Sequence, residues 1–138
     1  MEMNKTKKPV EGLQYVSEQY PLSAETAKII ATAKKVHQTL GPGFPEVVYQ
    51  RAMELELSID GLNFQREVNF DINYRDHIIG KLRVDFIVEN ILVEMKAKSA
   101  IEDIDFAQTM SYLKVSGAKV ALLLNFGSAK LGIKRLIN

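Results

Sequence analysis

The chain has 138 residues, of which 46% are hydrophobic and 25% charged, and its net charge is +1. These values are typical of one globular domain and exclude a disordered chain and a strongly basic nucleic-acid coat. The absence of cysteine excludes disulfides, thiolate-bound zinc, iron–sulfur clusters and cysteine nucleophiles.

The first 20 residues are polar and show no sustained periodicity. We therefore expect a flexible N-terminal arm at 1–20 and one domain at 21–138. The start of the chain lacks the apolar core of a signal peptide, and the longest apolar run, Val120 to Leu124, is too short to span a bilayer. These features predict a cytoplasmic protein with no membrane partner.

Two helices are predicted after the arm. The first begins near Ser23 and ends at the Gly41-Pro42-Gly43 segment, because proline cannot continue a helix. The second begins near Pro45 and ends at Gly61. Its apolar spacing predicts a buried stripe formed by Val48, Ala52, Leu55 and Ile59.

Glu46 lies in the first turn of the second helix, where the helix dipole stabilises a carboxylate. Tyr49 follows three residues later and is its neighbour on the helix surface. Taken alone, this pattern is explained as well by a good helix start as by a functional site.

The next part of the chain alternates between apolar and polar residues, which is typical of β-strands. One half-exposed strand is predicted from Phe64 to Tyr74, and a β-hairpin from Leu82 to Lys98. Glu89 and Asn90 are the turn residues of this hairpin, and a two-residue loop there pairs Val88 with Ile91.

Extending this pairing outward places Asp85 opposite Glu94 and Arg83 opposite Lys96. Like charges directly across a strand pair are destabilising. A divalent cation between the two carboxylates would remove the conflict. The alternative is an ordinary hairpin with a charged, solvated face.

A third helix is predicted after the hairpin and ends at Gly117, with Gln108 and Tyr112 four residues apart on one face. The apolar run from Lys119 to Phe126 indicates a strand that is buried on both faces and parallel to the Glu94 strand. The last segment contains three basic residues, Lys130, Lys134 and Arg135. They form either a phosphate-facing patch or a soluble end of the chain, and the pattern favours the soluble end.

Asp85, eight residues, Glu94 and then Lys96 match the signature of the PD-(D/E)XK nuclease superfamily. The motif of Gly43, Glu46 and Tyr49 resembles that of the bacterial GxxExxY protein family, which is assigned to the same fold. The resemblance runs from Ala24 to Asn138 and includes the segments VHQTLGPGFPEVVYQRAMELEL, KLRVDFIVENILVEMKA and AQTMSYLKVSG. It implies an α/β restriction-endonuclease-like core, a mixed β-sheet flanked by helices in the order α-α-β-β-β-α-β.

The resemblance also implies roles for individual residues. Asp85, Glu94 and the backbone carbonyl of Met95 would hold Mg²⁺ or Mn²⁺, hard cations that take oxygen ligands. Glu46 would bind the same ion directly or through water. Lys96 would orient or deprotonate the attacking water. Gln108 would position water or phosphate. The substrate-binding residues would be Tyr112, Arg83 and Tyr49, the first two by contacting phosphate and Tyr49 rather by supporting Glu46.

The function implied in this way is metal-dependent hydrolysis of phosphodiester bonds, in DNA rather than RNA. The alternative is a non-catalytic module that keeps the fold and binds nucleic acid or a protein. The chain is small for an endonuclease that must cut both strands, which leaves a homodimer or a partner subunit open.

Overall fold

The computed structural model describes residues 22–138, so the predicted arm at 1–20 lies outside the described residues. Within this range, helices and strands follow one another in the order α-α-β-β-β-α-β-β. Their bounds are α1 Ser23–Leu40, α2 Glu46–Ile59, β1 Phe64–Tyr74, β2 His77–Val88, β3 Ile91–Lys96, α3 Asp103–Ser116, β4 Val120–Asn125 and β5 Gly132–Ile137.

The strands form one mixed sheet in the order β1-β2-β3-β4-β5. All neighbouring strands are antiparallel except β3 and β4, which are parallel because α3 connects them as a crossover. The predicted α/β fold with a mixed sheet flanked by helices is confirmed. Strand β5 was not predicted, because its charged residues hide the alternation and only Leu136 is buried.

The sheet has a hydrophobic core on each face. On one face, α1 and α2 pack against residues that include Phe86 and Met95. On the other face, α3 packs against residues that include Val84 and Leu123. Strands β3 and β4 lie between the two cores and are buried, as the apolar run of β4 predicted. None of the helices between residues 22 and 138 is both long and apolar enough to cross a membrane.

The buried stripe of α2 differs from the predicted one. Tyr49, Met53 and Leu57 are fully buried, whereas Leu55 and Ile59 have 67% and 74% of their surface exposed. The helix carries apolar residues on more than one face, so the sequence spacing allows two stripes about one residue apart, or roughly 100° in rotation. The observed rotation places Glu46 and Gln50 beside the buried stripe, where both are half-buried.

The two halves of the β1–β2 ribbon contribute their apolar side chains to different cores. Phe64 and Phe86 belong to the core under α1 and α2, whereas Val68 and Val84 belong to the core under α3. The change occurs at Glu67, whose φ of 57° is left-handed, and the ladder between β1 and β2 skips the Glu67–Asp85 pair. This kink releases Asp85 from regular pairing with β1.

Candidate active site

The β2–β3 hairpin turns as predicted. Glu89 and Asn90 have φ angles of 48° and 67°, as both central residues of a tight type I′ hairpin turn require. Val88 pairs with Ile91, and the ladder continues to the pair of Phe86 and Val93. The predicted register is therefore confirmed at this end, which we call the turn end of the hairpin.

At the other end, side chains replace the ladder. The Asp85 N–H donates to Glu94 Oε1 over 2.9 Å, and the Met95 N–H donates to Asp85 Oδ2 over 2.8 Å. The predicted backbone pairings of Asp85 with Glu94 and of Arg83 with Lys96 are not part of the ladder, because the kink turns β2 away from β3. We call this region, residues 83–85 and 94–96, the open end.

The two carboxylates of the open end are held in an unfavourable environment for negative charge. Glu94 is only 4% exposed. Burial, followed by the negative charge of Asp85, raises the pKa of Glu94 to about 8. Burial also raises the pKa of Asp85, although the hydrogen bond from the Met95 N–H opposes the shift. A proton or a cation at this site would relieve the electrostatic penalty.

Lys96 lies at the end of β3 and faces α3. Its Nζ donates to Oε1 of Gln108 over 2.9 Å. Tyr112 lies one helical turn further along α3, and burial together with the charges of Glu94 and Asp85 raises its pKa. The open end and the predicted face of α3 therefore meet.

The start of α3 is fixed to the end of β3. Asp105 accepts hydrogen bonds from the Glu102 N–H over 2.9 Å and from Lys98 Nζ over 2.8 Å. The Asn125 side chain in turn accepts a bond from the Lys98 N–H and donates one to the Lys98 carbonyl. Gly127 lies against this backbone so closely that a Cβ there would collide with Lys98. These contacts set the distance between Lys96 and Gln108.

The first turn of α2 brings Glu46 to the same site. Burial raises the pKa of Glu46, the charge of Asp85 raises it further, and the charge of Lys96 lowers it. Glu46 is thus close enough to both residues to be influenced by their charges. One turn later, Gln50 Nε2 donates to Asp85 Oδ1 over 3.2 Å.

Gln50 and Arg66 are the site residues that sequence reasoning missed. Gln50 Oε1 accepts a bond from Arg66 Nη2 over 3.3 Å, and Arg66 Nη1 forms an ion pair with Glu54 over 3.3 Å. Arg66 Nε is buried without a hydrogen-bond partner. The available signal was the position of Arg66 on the same face of β1 as Phe64, since a charged residue at an inward position of a strand requires a partner.

Tyr49 and Arg83 lie in different environments, the first buried and the second exposed. Tyr49 is fully buried, so its side chain cannot contact a substrate. Its hydroxyl donates to the Gly41 carbonyl over 2.5 Å and accepts the Phe44 N–H over 3.2 Å, which fixes the loop before Glu46. Arg83 is exposed and paired with Glu67 over 3.3 Å, at the kink of the ribbon.

The donor set of the open end suits a hard cation only in part. Among residues 22–138, no three His, Asp or Glu side chains are grouped so that they could hold a metal ion. Asp85 and Glu94 nevertheless supply two carboxylates, and Mg²⁺ is commonly bound by one or two carboxylates together with water and substrate phosphates. The residues therefore fit Mg²⁺ or Mn²⁺ without Glu46 as a third direct ligand.

Comparisons with known proteins bear on the family and the fold of the chain. The profile of the PD-(D/E)XK nuclease superfamily matches residues 23–136. No curated protein matches the sequence. The crystal structure of SSO0001 is similar to the fold, with a TM-score of 0.53 and 17% sequence identity. The match covers 85% of this chain but only 59% of SSO0001. The chain belongs to the PD-(D/E)XK nuclease superfamily.

Proposed function

We propose that this protein is a metal-dependent nuclease that hydrolyses phosphodiester bonds in DNA, and that it is a member of the GxxExxY family. The observation that carries the proposal is the open end of the hairpin, where the half-buried Asp85 lies beside the buried Glu94 and Lys96 lies two residues further along the same strand as Glu94. The preference for DNA over RNA rests on the resemblance of the motifs. A cytoplasmic location and a homodimer stay predictions.

In this proposal, Asp85, Glu94 and the carbonyl of Met95 hold Mg²⁺ or Mn²⁺. The bound ion supplies Lewis-acid stabilisation of the phosphoryl oxygens. Glu46 contributes through a water molecule, since it is near Asp85 but forms no three-residue metal cluster with it.

Lys96 and Gln108 act on the attacking water and on the phosphate. The water oxygen forms a bond to phosphorus and the bond from phosphorus to the leaving oxygen breaks. The water releases one proton to solvent, and the leaving oxygen takes up one proton from solvent. Lys96 Nζ is held by Gln108 over 2.9 Å, so its charge has a fixed position from which to orient the water and offset the negative charge that grows on the phosphate. Tyr112 and Arg83 would contact flanking phosphates.

Cleavage assays test this function directly. Labelled single-stranded DNA, duplex DNA and RNA are incubated with Mg²⁺ or Mn²⁺ and the wild-type protein, Lys96→Ala or Lys114→Ala. Lys114 is a matched control because it is an exposed lysine in the last turn of α3, away from Lys96.

We expect wild type and Lys114→Ala to cleave DNA and Lys96→Ala to lose about 10²- to 10³-fold or more in rate. Equal rates in all three proteins would indicate a contaminating nuclease. Binding of nucleic acid without cleavage under any metal condition would favour the non-catalytic module.

A further inference from the structure

Positive charge is concentrated in α1 and in the C-terminal segment 126–138. Together they contain six Lys or Arg side chains and one acidic side chain, Glu25, whereas the net charge of the whole chain is +1. The remainder of the chain is therefore net negative. Lys35 of α1 is paired with Asp60 over 2.8 Å, and the positive excess that remains indicates an anionic partner for this surface.

Part of this surface is concave. A depression of about 370 Å³ lies between the C-terminal half of α1 and the loop after β4. We call it the basic cleft, and its polar lining consists of Lys34, His37, Gln38 and Lys130. Among residues 22–138, none of those that line the basic cleft is acidic.

The two walls of the basic cleft are fixed to each other. His37 Nε2 is hydrogen-bonded to the carbonyl of Ser128 over 2.9 Å, and its ring lies 6.2 Å from that of Phe126. The loop that carries Lys130 is thereby attached to α1. The backbones of the two walls are therefore held together by a specific contact.

The basic cleft and the candidate active site both lie at the carboxyl ends of the parallel strands β3 and β4. Lys96 pairs with Asn125, and the Phe126 N–H donates to the Lys96 carbonyl over 2.8 Å. The loop with Lys130 continues from there to β5, which is two strand spacings, roughly 10 Å, from β3 within the sheet. Lys96 faces α3 and the cleft lies on the α1 side, so a strand bound at both crosses the carboxyl end of β4. On the other side of Lys96, the exposed residues at the start of α3 are Glu102, Asp103 and Ile104, of which Glu102 is paired with Lys98.

We propose that the basic cleft binds the sugar–phosphate backbone of the strand being cleaved, a few nucleotides from the scissile bond. The proposal rests on the proposed nuclease function and adds a direction to it: the bound strand runs from Lys96 toward Lys130 and Lys34 and away from the acidic start of α3. Each strand of a duplex carries one phosphate per about 3.4 Å of helix axis. A phosphate about three nucleotides from the scissile bond therefore reaches the cleft.

Binding is tested in a Lys96→Ala background, so that the nucleic acid stays intact. Fluorescence anisotropy with a labelled 20-nucleotide DNA, single-stranded and duplex, is measured at several salt concentrations for Lys130→Glu, Lys34→Gln and Lys130→Arg. Lys114→Glu is the control. Because α3 runs antiparallel to β4, Lys114 at the end of α3 lies near the amino end of β4, away from the basic cleft.

We expect Lys130→Glu to weaken binding roughly tenfold at low salt and to lower the slope of log affinity against log salt by about 1. Lys34→Gln should have a smaller effect in the same direction, whereas Lys130→Arg and Lys114→Glu should bind within about twofold of the background protein. Equal affinities and slopes for Lys130→Glu and Lys114→Glu would overturn the proposal.

A second measurement separates this proposal from the proposed function. In otherwise wild-type protein, Lys130→Glu should raise KM for a 20-nucleotide DNA but leave hydrolysis of a small phosphodiester, bis(p-nitrophenyl) phosphate, unchanged. Wild-type cleavage with no KM effect of Lys130→Glu would overturn the basic cleft alone. A wild-type protein that neither binds nor cleaves DNA would overturn the proposed function and the cleft with it.

Discussion

The two ends of the β2–β3 hairpin are built in opposite ways. At the turn end, left-handed residues at Glu89 and Asn90 close a regular ladder of buried apolar pairs. At the open end, the Asp85 and Glu94 carboxylates replace ladder hydrogen bonds and are buried where the pKa of each is raised. The turn end stabilises the fold, whereas the open end retains charge that destabilises it, as functional sites often do.

The largest effect on stability is expected at the turn end. Phe86 is fully buried and packs edge-to-face against Phe64, with 6.0 Å between the ring centroids. Phe86→Ala should lower the free energy of unfolding by about 3–5 kcal/mol, because it removes buried apolar surface and leaves a cavity. Urea denaturation measures this loss, with the exposed Ile79→Ala as the control, expected within about 0.5 kcal/mol of wild type. If Phe86→Ala lost less free energy of unfolding than Ile79→Ala, the turn end would not be the stabilising end of the hairpin.

The open end should make stability depend on pH. The pKa of Glu94 is raised from 4.5 to about 8 in the folded state. Its contribution to stability is therefore complete below pH 4.5 and is lost as the pH rises to 8, because the unfolded chain releases its proton first. Relative to Glu94→Gln, wild type in EDTA should lose on the order of 3 kcal/mol across this range. Parallel pH profiles of the two proteins would contradict the buried pair.

A cation should reverse this destabilisation. Wild type should gain about 2.7 kcal/mol in the free energy of unfolding at an Mn²⁺ concentration one hundred times its Kd. Asp85→Asn should gain much less, since it removes one carboxylate ligand. Without metal, and at a pH above 8 where Glu94 is ionised, the same variant should be as stable as wild type or more stable by a few tenths to about 1 kcal/mol, because the repulsion with Glu94 is removed.

Thermal unfolding with and without Mn²⁺ measures both effects of Asp85→Asn. Equal metal-induced shifts in wild type and variant would show that Asp85 is not a ligand, and the assigned mechanism would fail.

The smallest expected effect comes from the support behind Asp85. Gln50→Leu removes the donor that orients Asp85 Oδ1, so Mn²⁺ affinity should fall roughly tenfold, or about 1.4 kcal/mol. Titration of the melting temperature with Mn²⁺ measures this change. Gln65→Leu, an exposed glutamine of β1, is the matched control and should leave the titration unchanged. Equal Mn²⁺ affinities of Gln50→Leu and Gln65→Leu would show that α2 does not support the metal site through Gln50, and the site would then consist of the hairpin and α3.

The features that the sequence predicted most accurately are formed by residues close together along the chain. The turn at Glu89 and Asn90, the register at Val88 and Ile91, and the buried strand β4 all follow from local alternation and turn chemistry. The contact of Gln50 with Asp85 was missed because its two residues are 35 positions apart and the sequence around Gln50 has no unusual pattern.

The rotation of α2 could not be read from spacing either. Leu55 and Ile59 continue the apolar spacing as well as Met53 and Leu57 do, and only contact with the sheet decides which pair is buried. Strand β5 was overlooked for a related reason, since the last strand of a sheet is half-exposed and its lysine and arginine residues are typical of a solvated end.

The kink at Glu67 has a consequence for contacts between molecules. Strand β1 lies at the edge of the sheet and has 11 residues, and a long straight edge strand presents unpaired N–H and C=O groups to other chains. The left-handed φ at Glu67 divides this edge into two shorter pieces that face different directions. We expect the same bend that frees Asp85 for the active site to reduce edge-to-edge aggregation of the protein.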